Sequence, residues 1–204
     1  MRIGFVSDTH MEHGRLKLPK DLDLLVHAGD ATNEGTVAEI GRFGDWCRSL
    51  PYPVIFVPGN HEIEMQKRPE VARALLHGVA VLVDEPAWVG DFTFYGSPWT
   101  PQYGDMAFEY KREDAEKQWR GMKRCDVLVT HGPPRGILDR HGGEEKGCWA
   151  LRDAVLRLSP KIHVFGHIHD GYGLKLVGST LFINASSMHP ERRKYLNWPI
   201  VVEI

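Results

Sequence analysis

Five short apolar runs, each closing on side chains that bind metals or protons, constrain this chain more than any other feature. RIGFVS at 2–7 leads into Asp8 and His10, DLLVHAG at 23–29 into Asp30, and YPVIFVPG at 52–59 into Asn60 and His61. CDVLVTHG at 125–132 carries His131 near its end, and KIHVFG at 161–166 leads into His167 and His169. Runs of this length, rich in Val, Ile and Phe and bounded by Gly or Pro, read as β-strands. The first three are apolar almost throughout, which fits sheet interiors covered on both faces.

Helical patterns lie where such cover is needed. Thr36 and Glu39 form a capping-box signature, and Val37, Ile40, Phe43, Trp46, Cys47 and Leu50 keep helical spacing until Pro51. A shorter pattern, Val71, Ala74 and Leu75, ends at Gly78, and amphipathic stretches near 108–121 and 149–158 follow. Further strands are expected at 79–84, 92–96 and in the last part of the chain, in LKLVG, TLFINAS and PIVVEI. The architecture expected from these elements is α/β, with a mixed sheet or two packed sheets flanked by helices. Such sheets present functional groups beyond the C-terminal ends of their strands, where the five polar clusters stand.

Composition narrows the class. With 204 residues, 42% hydrophobic and 25% charged, one domain spanning 1–204 is expected. The 25 Lys and Arg against 27 Asp and Glu leave a net charge of −2, so no stable nucleic-acid complex is expected. Apolar stretches fall far short of the roughly 20 residues a membrane helix needs, and no signal-like region precedes Asp8 and His10. A cytoplasmic protein with no membrane partner is the expectation. Three cysteines without a C-x-x-C spacing read as reduced packing residues.

Asp8, His10, Asp30, Asn60, His131, His167 and His169 form a donor set of imidazoles, carboxylates and an amide, without thiolates. That set suits first-row ions such as Mn, Fe, Zn, Co or Ni. Seven donors exceed what one open catalytic ion uses. With one carboxylate shared, they supply four contacts to each of two ions, and Asp30 is the expected bridge. Read singly, Asp8 or Asp30 fits an ordinary turn or helix cap, and Asn60 a left-handed turn position. His13, His27, His77, His141, His163 and His189 lack the motif context and are not expected in the site. Trp99 and Tyr172 are expected first as packing or loop-anchoring aromatics, and second as pocket walls.

In order along the chain, Asp8-x-His10, Gly29-Asp30, Gly59-Asn60-His61-Glu62, His131 and Gly166-His167-x-His169 resemble the calcineurin-like metallophosphoesterase superfamily. More narrowly, GDATNEG, PGNHE, GSPWTP, THGPP, HVFGHIHDGYG and INAS resemble the 239AB-type metallophosphoesterase-domain proteins along essentially the whole chain. The resemblance implies a four-layer α/β/β/α sandwich of two mixed β-sheets flanked by helices. It also implies a dinuclear site, with Asp8, His10 and His169 on one metal, Asn60, His131 and His167 on the other, and Asp30 between them. It makes His61 the catalytic proton donor and, with Asn60, a substrate contact. The related Ser/Thr phosphatases orient this histidine with an acid three residues after the bridging Asp. Here that position is Asn33; either Glu62 or Glu34 serves instead, or the histidine mainly binds phosphate.

The activity implied is a dinuclear-metal-dependent phosphodiesterase hydrolysing small phosphodiesters, such as cyclic nucleotides, through a metal-bridging hydroxide. Mn, Fe or Zn are the ions expected, and a small-molecule phosphoester such as a nucleotide is the expected partner. A phosphomonoesterase or protein phosphatase is the alternative within the same chemistry. A metal-binding interaction module with little catalysis is the alternative outside it.

Overall fold

The computed structural model describes residues 1–189 and 195–204. Its first elements are β1 (Arg2–Val6), β2 (Leu24–His27), α1 (Val37–Ser49), β3 (Val54–Phe56), α2 (Ile63–Lys67), α3 (Pro69–Leu75) and β4 (Ala80–Val81). Next come β5 (Glu85–Val89), β6 (Phe92–Ser97), β7 (Thr100–Pro101), β8 (Glu109–Tyr110), α4 (Ala115–Arg120) and β9 (Val127–Thr130). The last are β10 (Arg140–His141), β11 (Glu144–Glu145), α5 (Trp149–Leu158), β12 (Ile162–Phe165), β13 (Gly173–Val177), β14 (Thr180–Asn184) and β15 (Ile200–Glu203).

Two mixed sheets result. One has the order β15-β1-β2-β3-β4, with β1 to β4 parallel and β15 antiparallel to β1. The other has the order β13-β14-β12-β9-β6-β5, with four parallel inner strands and antiparallel edges. Alternation along the strands decides the layers. Ile3, Phe5, Leu24, Val26 and Ile55 of the first sheet meet Phe94, Val127, Val129, Ile162, Val164 and Ile183 of the second in one buried core. On the outer face of the first sheet, Leu25, Val54 and Phe56 pack on Ile40, Phe43 and Cys47 of α1 and Ala72 of α3. Outside the second, Leu128, Phe165 and Phe182 meet Trp119 of α4 and Leu151, Ala154 and Val155 of α5. The order is α/β/β/α, as the resemblance implies.

The capping box at the head of α1 is present in both directions, from Glu39 N to Thr36 Oγ1 and from Thr36 N to Glu39 Oε2. The stretch 108–121 is not one helix. Phe108 buries beneath the first sheet's helices and Tyr110 beneath the second's, so no single helical face serves both, and the helix starts only at Ala115. Strand β5 escapes the sequence patterns because Pro86 reads as a turn residue; an edge strand tolerates it. Helix α2, five residues long, is too short to display a period. All three cysteines are free, and Cys148 Sγ accepts from Leu151 N at the start of α5. Among the described residues no helix is long and apolar enough to cross a membrane.

Two histidines are fixed as neutral core residues. Gly29 N donates to His27 Nδ1 at 3.3 Å, so the proton sits on Nε2, facing Thr9 Oγ1 at 2.9 Å. Thr130 gives its hydroxyl proton to Gly132 O, so His163 Nε2 must donate to Thr130 Oγ1 at 2.9 Å. Burial pushes both imidazoles down to about 3. The folded state therefore binds fewer protons than the unfolded chain. The stability is whole above the unfolded value near 6.5 and is lost as pH falls toward the folded one, at about 1.4 kcal/mol per pH unit per group. Urea unfolding of His163→Leu between pH 7 and pH 5 is expected to lose stability less steeply than the parent, by roughly one proton's slope. Parallel curves would contradict this account of His163.

Candidate metal centre

The loops that leave β1, β2, β3, β9 and β12 meet at one end of the sandwich, and both sheets contribute. Asp8 and Asp30 are buried, as are Asn60 and His131, while His10, His61, His167 and His169 reach the surface in part. Asp8, His10 and His169 bring one ligand-type atom each within 4.8 Å of one another, as do Asp30, His131 and His167, and also His10, Asp30 and His61. Asp30 Oδ2 stands 3.2 Å from His131 Nε2 and 4.0 Å from His10 Nε2, within reach of both sets. Asn60 Oδ1 lies 2.9 Å from His131 Nε2, and Asp8 Oδ1 lies 3.5 Å from His169 Nε2. The structure thus brings together all seven expected donors, and His61 with them.

The backbone explains how residues so close in sequence part. Strand β12 stops at Phe165, His167 turns into the left-handed region at φ 66°, and His169 opens a short 3-10 turn. One imidazole joins Asp30 and His131, the other Asp8 and His10. Asp8, His10 and Asp30 are left-handed as well, at φ 50°, 43° and 55°. Such conformations cost a non-glycine residue on the order of 1 kcal/mol or more and persist where their surroundings fix them. Asp8 N donates to Gly29 O at 2.8 Å, His10 N to Asp30 O at 3.0 Å, and His167 N to the Asp8 carboxylate at 3.0 Å. A side chain at Gly59 would strike Asp30 Oδ1, and one at Gly166 would strike Asp8 Oδ2, so both glycines are fixed by close approach.

The pattern of the calcineurin-like phosphoesterase family matches residues 1–171. The chain belongs to that family. The human protein named metallophosphoesterase domain-containing protein 1 is 35% identical over 232 residues, covering 100% of this chain and 71% of its own length. UPF0046 protein K07C11.7 of Caenorhabditis elegans is 33% identical over 202 residues, covering 91% and 69% of the two chains. The crystal structure of phosphopantetheinyl hydrolase from Mycobacterium tuberculosis has the same fold, with a TM-score of 0.67 at 19% identity, covering 98% and 95%.

Calcineurin-like phosphoesterases use a dinuclear metal centre, and the donor chemistry of this member fits one. His131 Nδ1 donates to Ala28 O at 2.9 Å, since a carbonyl only accepts, and that leaves Nε2 as the atom directed at Asp30. Burial alone raises Asp8 and Asp30, yet the histidines outweigh it and hold both carboxyls well below the usual range. In return, although burial opposes it, the two carboxylates lift His131 to about 9, and Asp8 raises His169. Burial lowers His10, and lowers His167 to about 4. Two buried carboxylates held ionised therefore favour positive charge at this spot, which a cation would supply.

No acid among the described residues orients His61. Its Nδ1 donates to the backbone carbonyl of Asn33 at 2.5 Å, and neither Glu34 nor Glu62 takes that place. Glu62 is instead a buried hub that accepts from Gly59 N, Asp30 N, Thr32 N and Thr32 Oγ1 at 2.5 to 3.0 Å. Burial and Asp30 raise its carboxyl despite those donors. It ties the Asp30 loop to the Asn60–His61 loop. Glu62→Gln turns an amide donor toward these N–H groups and is expected to cost about 1–3 kcal/mol in unfolding free energy. Its melting temperature should fall, and an unchanged value would deny Glu62 the role of hub.

Two residues of the site carry no motif signal. Tyr103 stands over the centre, its ring 5.5 Å from that of His167 and its hydroxyl accepting from Asn60 Nδ2 at 3.3 Å. His189, not expected here, lines the same open depression of about 780 Å³. Trp99 and Tyr172 are anchors, donating to Asp84 Oδ2 and Trp198 O.

Proposed function

We propose that this chain is a phosphodiesterase that hydrolyses small phosphodiesters, such as cyclic nucleotides, at a pair of Mn, Fe or Zn ions. The reading is carried by one observation, the placement of Asp30 Oδ2 within 3.2 Å of His131 Nε2 and 4.0 Å of His10 Nε2. Asp30 would then be shared, with Asp8, His10 and His169 holding one ion and Asn60, His131 and His167 the other. Two such ions supply Lewis acidity and charge neutralisation at an attacked phosphoryl group.

The chain's own residues do the rest. His61 lines the depression, where it would meet the phosphoryl group, and Asn60, buried behind it, would reach that group alongside Tyr103, to whose hydroxyl its Nδ2 donates. With His61 Nδ1 committed to Asn33 O, Nε2 is the atom left to pass a proton to the departing oxygen. The depression stays open to a substrate. A diester is favoured over a monoester because Glu34 lines the depression with its carboxylate uncommitted, whereas Glu12 is paired with Arg15 and Glu39 caps α1, and no Lys or Arg among the described residues lines it. A singly charged diester meets less repulsion there than a dianion.

The test is turnover by metal-stripped protein reloaded with Mn²⁺, using bis-p-nitrophenyl phosphate, p-nitrophenyl phosphate and the 2′,3′- and 3′,5′-cyclic nucleotides. Higher kcat/KM on diesters is expected. Preference for the monoester would overturn the diester reading, and no turnover with any first-row metal would make the chain a binding module.

A further inference from the structure

The depression over the centre has flanks of opposite charge. Glu12, Glu34 and Glu39 stand on one side; Glu12 pairs with Arg15 at 2.9 Å and Glu39 is spent on the cap of α1. On the other side, past Tyr103, runs a second groove of about 500 Å³ that shares Tyr103, His167 and His169 with the depression. Pro133 and Ile168 give it an apolar floor, and Arg112 and Lys146 supply its cations. Its one lining carboxylate, Asp170, is met by His141 Nδ1 at 2.8 Å. Lys146 Nζ reaches the exposed Glu144, whereas Arg112 pairs with no carboxylate among the described residues. An unpaired guanidinium beside an apolar floor and next to a phosphoester centre is matched in shape and charge to a phosphate, which it binds in bidentate fashion.

We propose that this groove is a subsite for a second phosphate group of the substrate. The preferred substrate is then a phosphodiester bearing a further phosphate, with its organic part against Tyr103 and Pro133 and the second phosphate on Arg112 and Lys146. The charge asymmetry sets the direction, since the Glu34 side repels what the Arg112 side attracts. This rests on the reading of the centre as a phosphodiesterase.

The experiment compares kcat/KM of the Mn²⁺-loaded protein for adenosine 2′,3′-cyclic phosphate with and without a 5′-phosphate. A charge-assisted contact of this kind should favour the 5′-phosphorylated diester by about tenfold or more. In the Arg112→Gln, Lys146→Gln double variant that ratio should fall to about twofold or less. Equal values in the parent protein, or a ratio that survives the double variant, would overturn the subsite. If neither diester is hydrolysed, the phosphodiesterase reading fails by itself, and the subsite is decided by calorimetry with adenosine 3′,5′-bisphosphate and adenosine 3′-phosphate. Tighter binding of the bisphosphate that the double variant loses upholds the subsite, and equal binding refutes it.

Discussion

Asp30→Ala is expected to lower turnover by at least about a thousandfold and to release metal from both positions, not from one. Asp30 Oδ2 lies within 4.0 Å of ligand-type atoms belonging to both donor sets, so its truncation removes a donor shared by the two. The metal-free protein offers a second readout. Asp30 heads the charges that hold His131 at about 9, so its removal should let that imidazole titrate markedly lower by NMR. Loss of one ion with the other retained would make Asp30 a ligand to a single metal. Near-normal turnover would remove it from the centre altogether.

His61→Ala carries the second large effect, a fall in rate of about 10²- to 10⁴-fold with both ions still bound. Metal retention follows from the backbone, because it is His61 N, not the imidazole, that donates to Asp30 Oδ1 at 2.9 Å. A proton donor also leaves a signature that a positioning residue does not. The loss should be large for an alkoxide leaving group and small for p-nitrophenolate, which departs without a proton. Equal losses on both substrates would make His61 a phosphate contact only, and metal loss would make it a ligand.

How much of this was legible in the sequence depends on which physical signal carried it. Strands buried on both faces announce themselves as unbroken apolar runs, so β1, β2, β3, β9 and β12 and the donors at their ends could be read directly. Capping chemistry is local, and Thr36 with Glu39 marked the start of α1 for that reason. What stayed hidden is long-range or conformational. Asp and His enter left-handed backbone more readily than most residues, but loop packing decides which of them do: Asp8, His10, Asp30 and His167 are left-handed, whereas Asn60, the obvious candidate for such a turn, is not.

The role of Glu62 was equally invisible, because its partners Asp30 and Thr32 lie about thirty residues away. Its place in the sequence next to His61 suggested a contact that the fold gives to the Asn33 carbonyl. Tyr103 sits in a loop without periodicity and reaches Asn60 across 43 residues. Strand β5 was masked by Pro86, which forbids a central strand and is harmless at an edge.

Elemental analysis of the stripped and reloaded protein, read against turnover as metal is added, tests the central claim most directly. Two first-row ions per chain at saturation, with turnover rising as the second position fills, is the expected result. A single ion at full activity, or active protein with no metal, would contradict a paired centre built on Asp30.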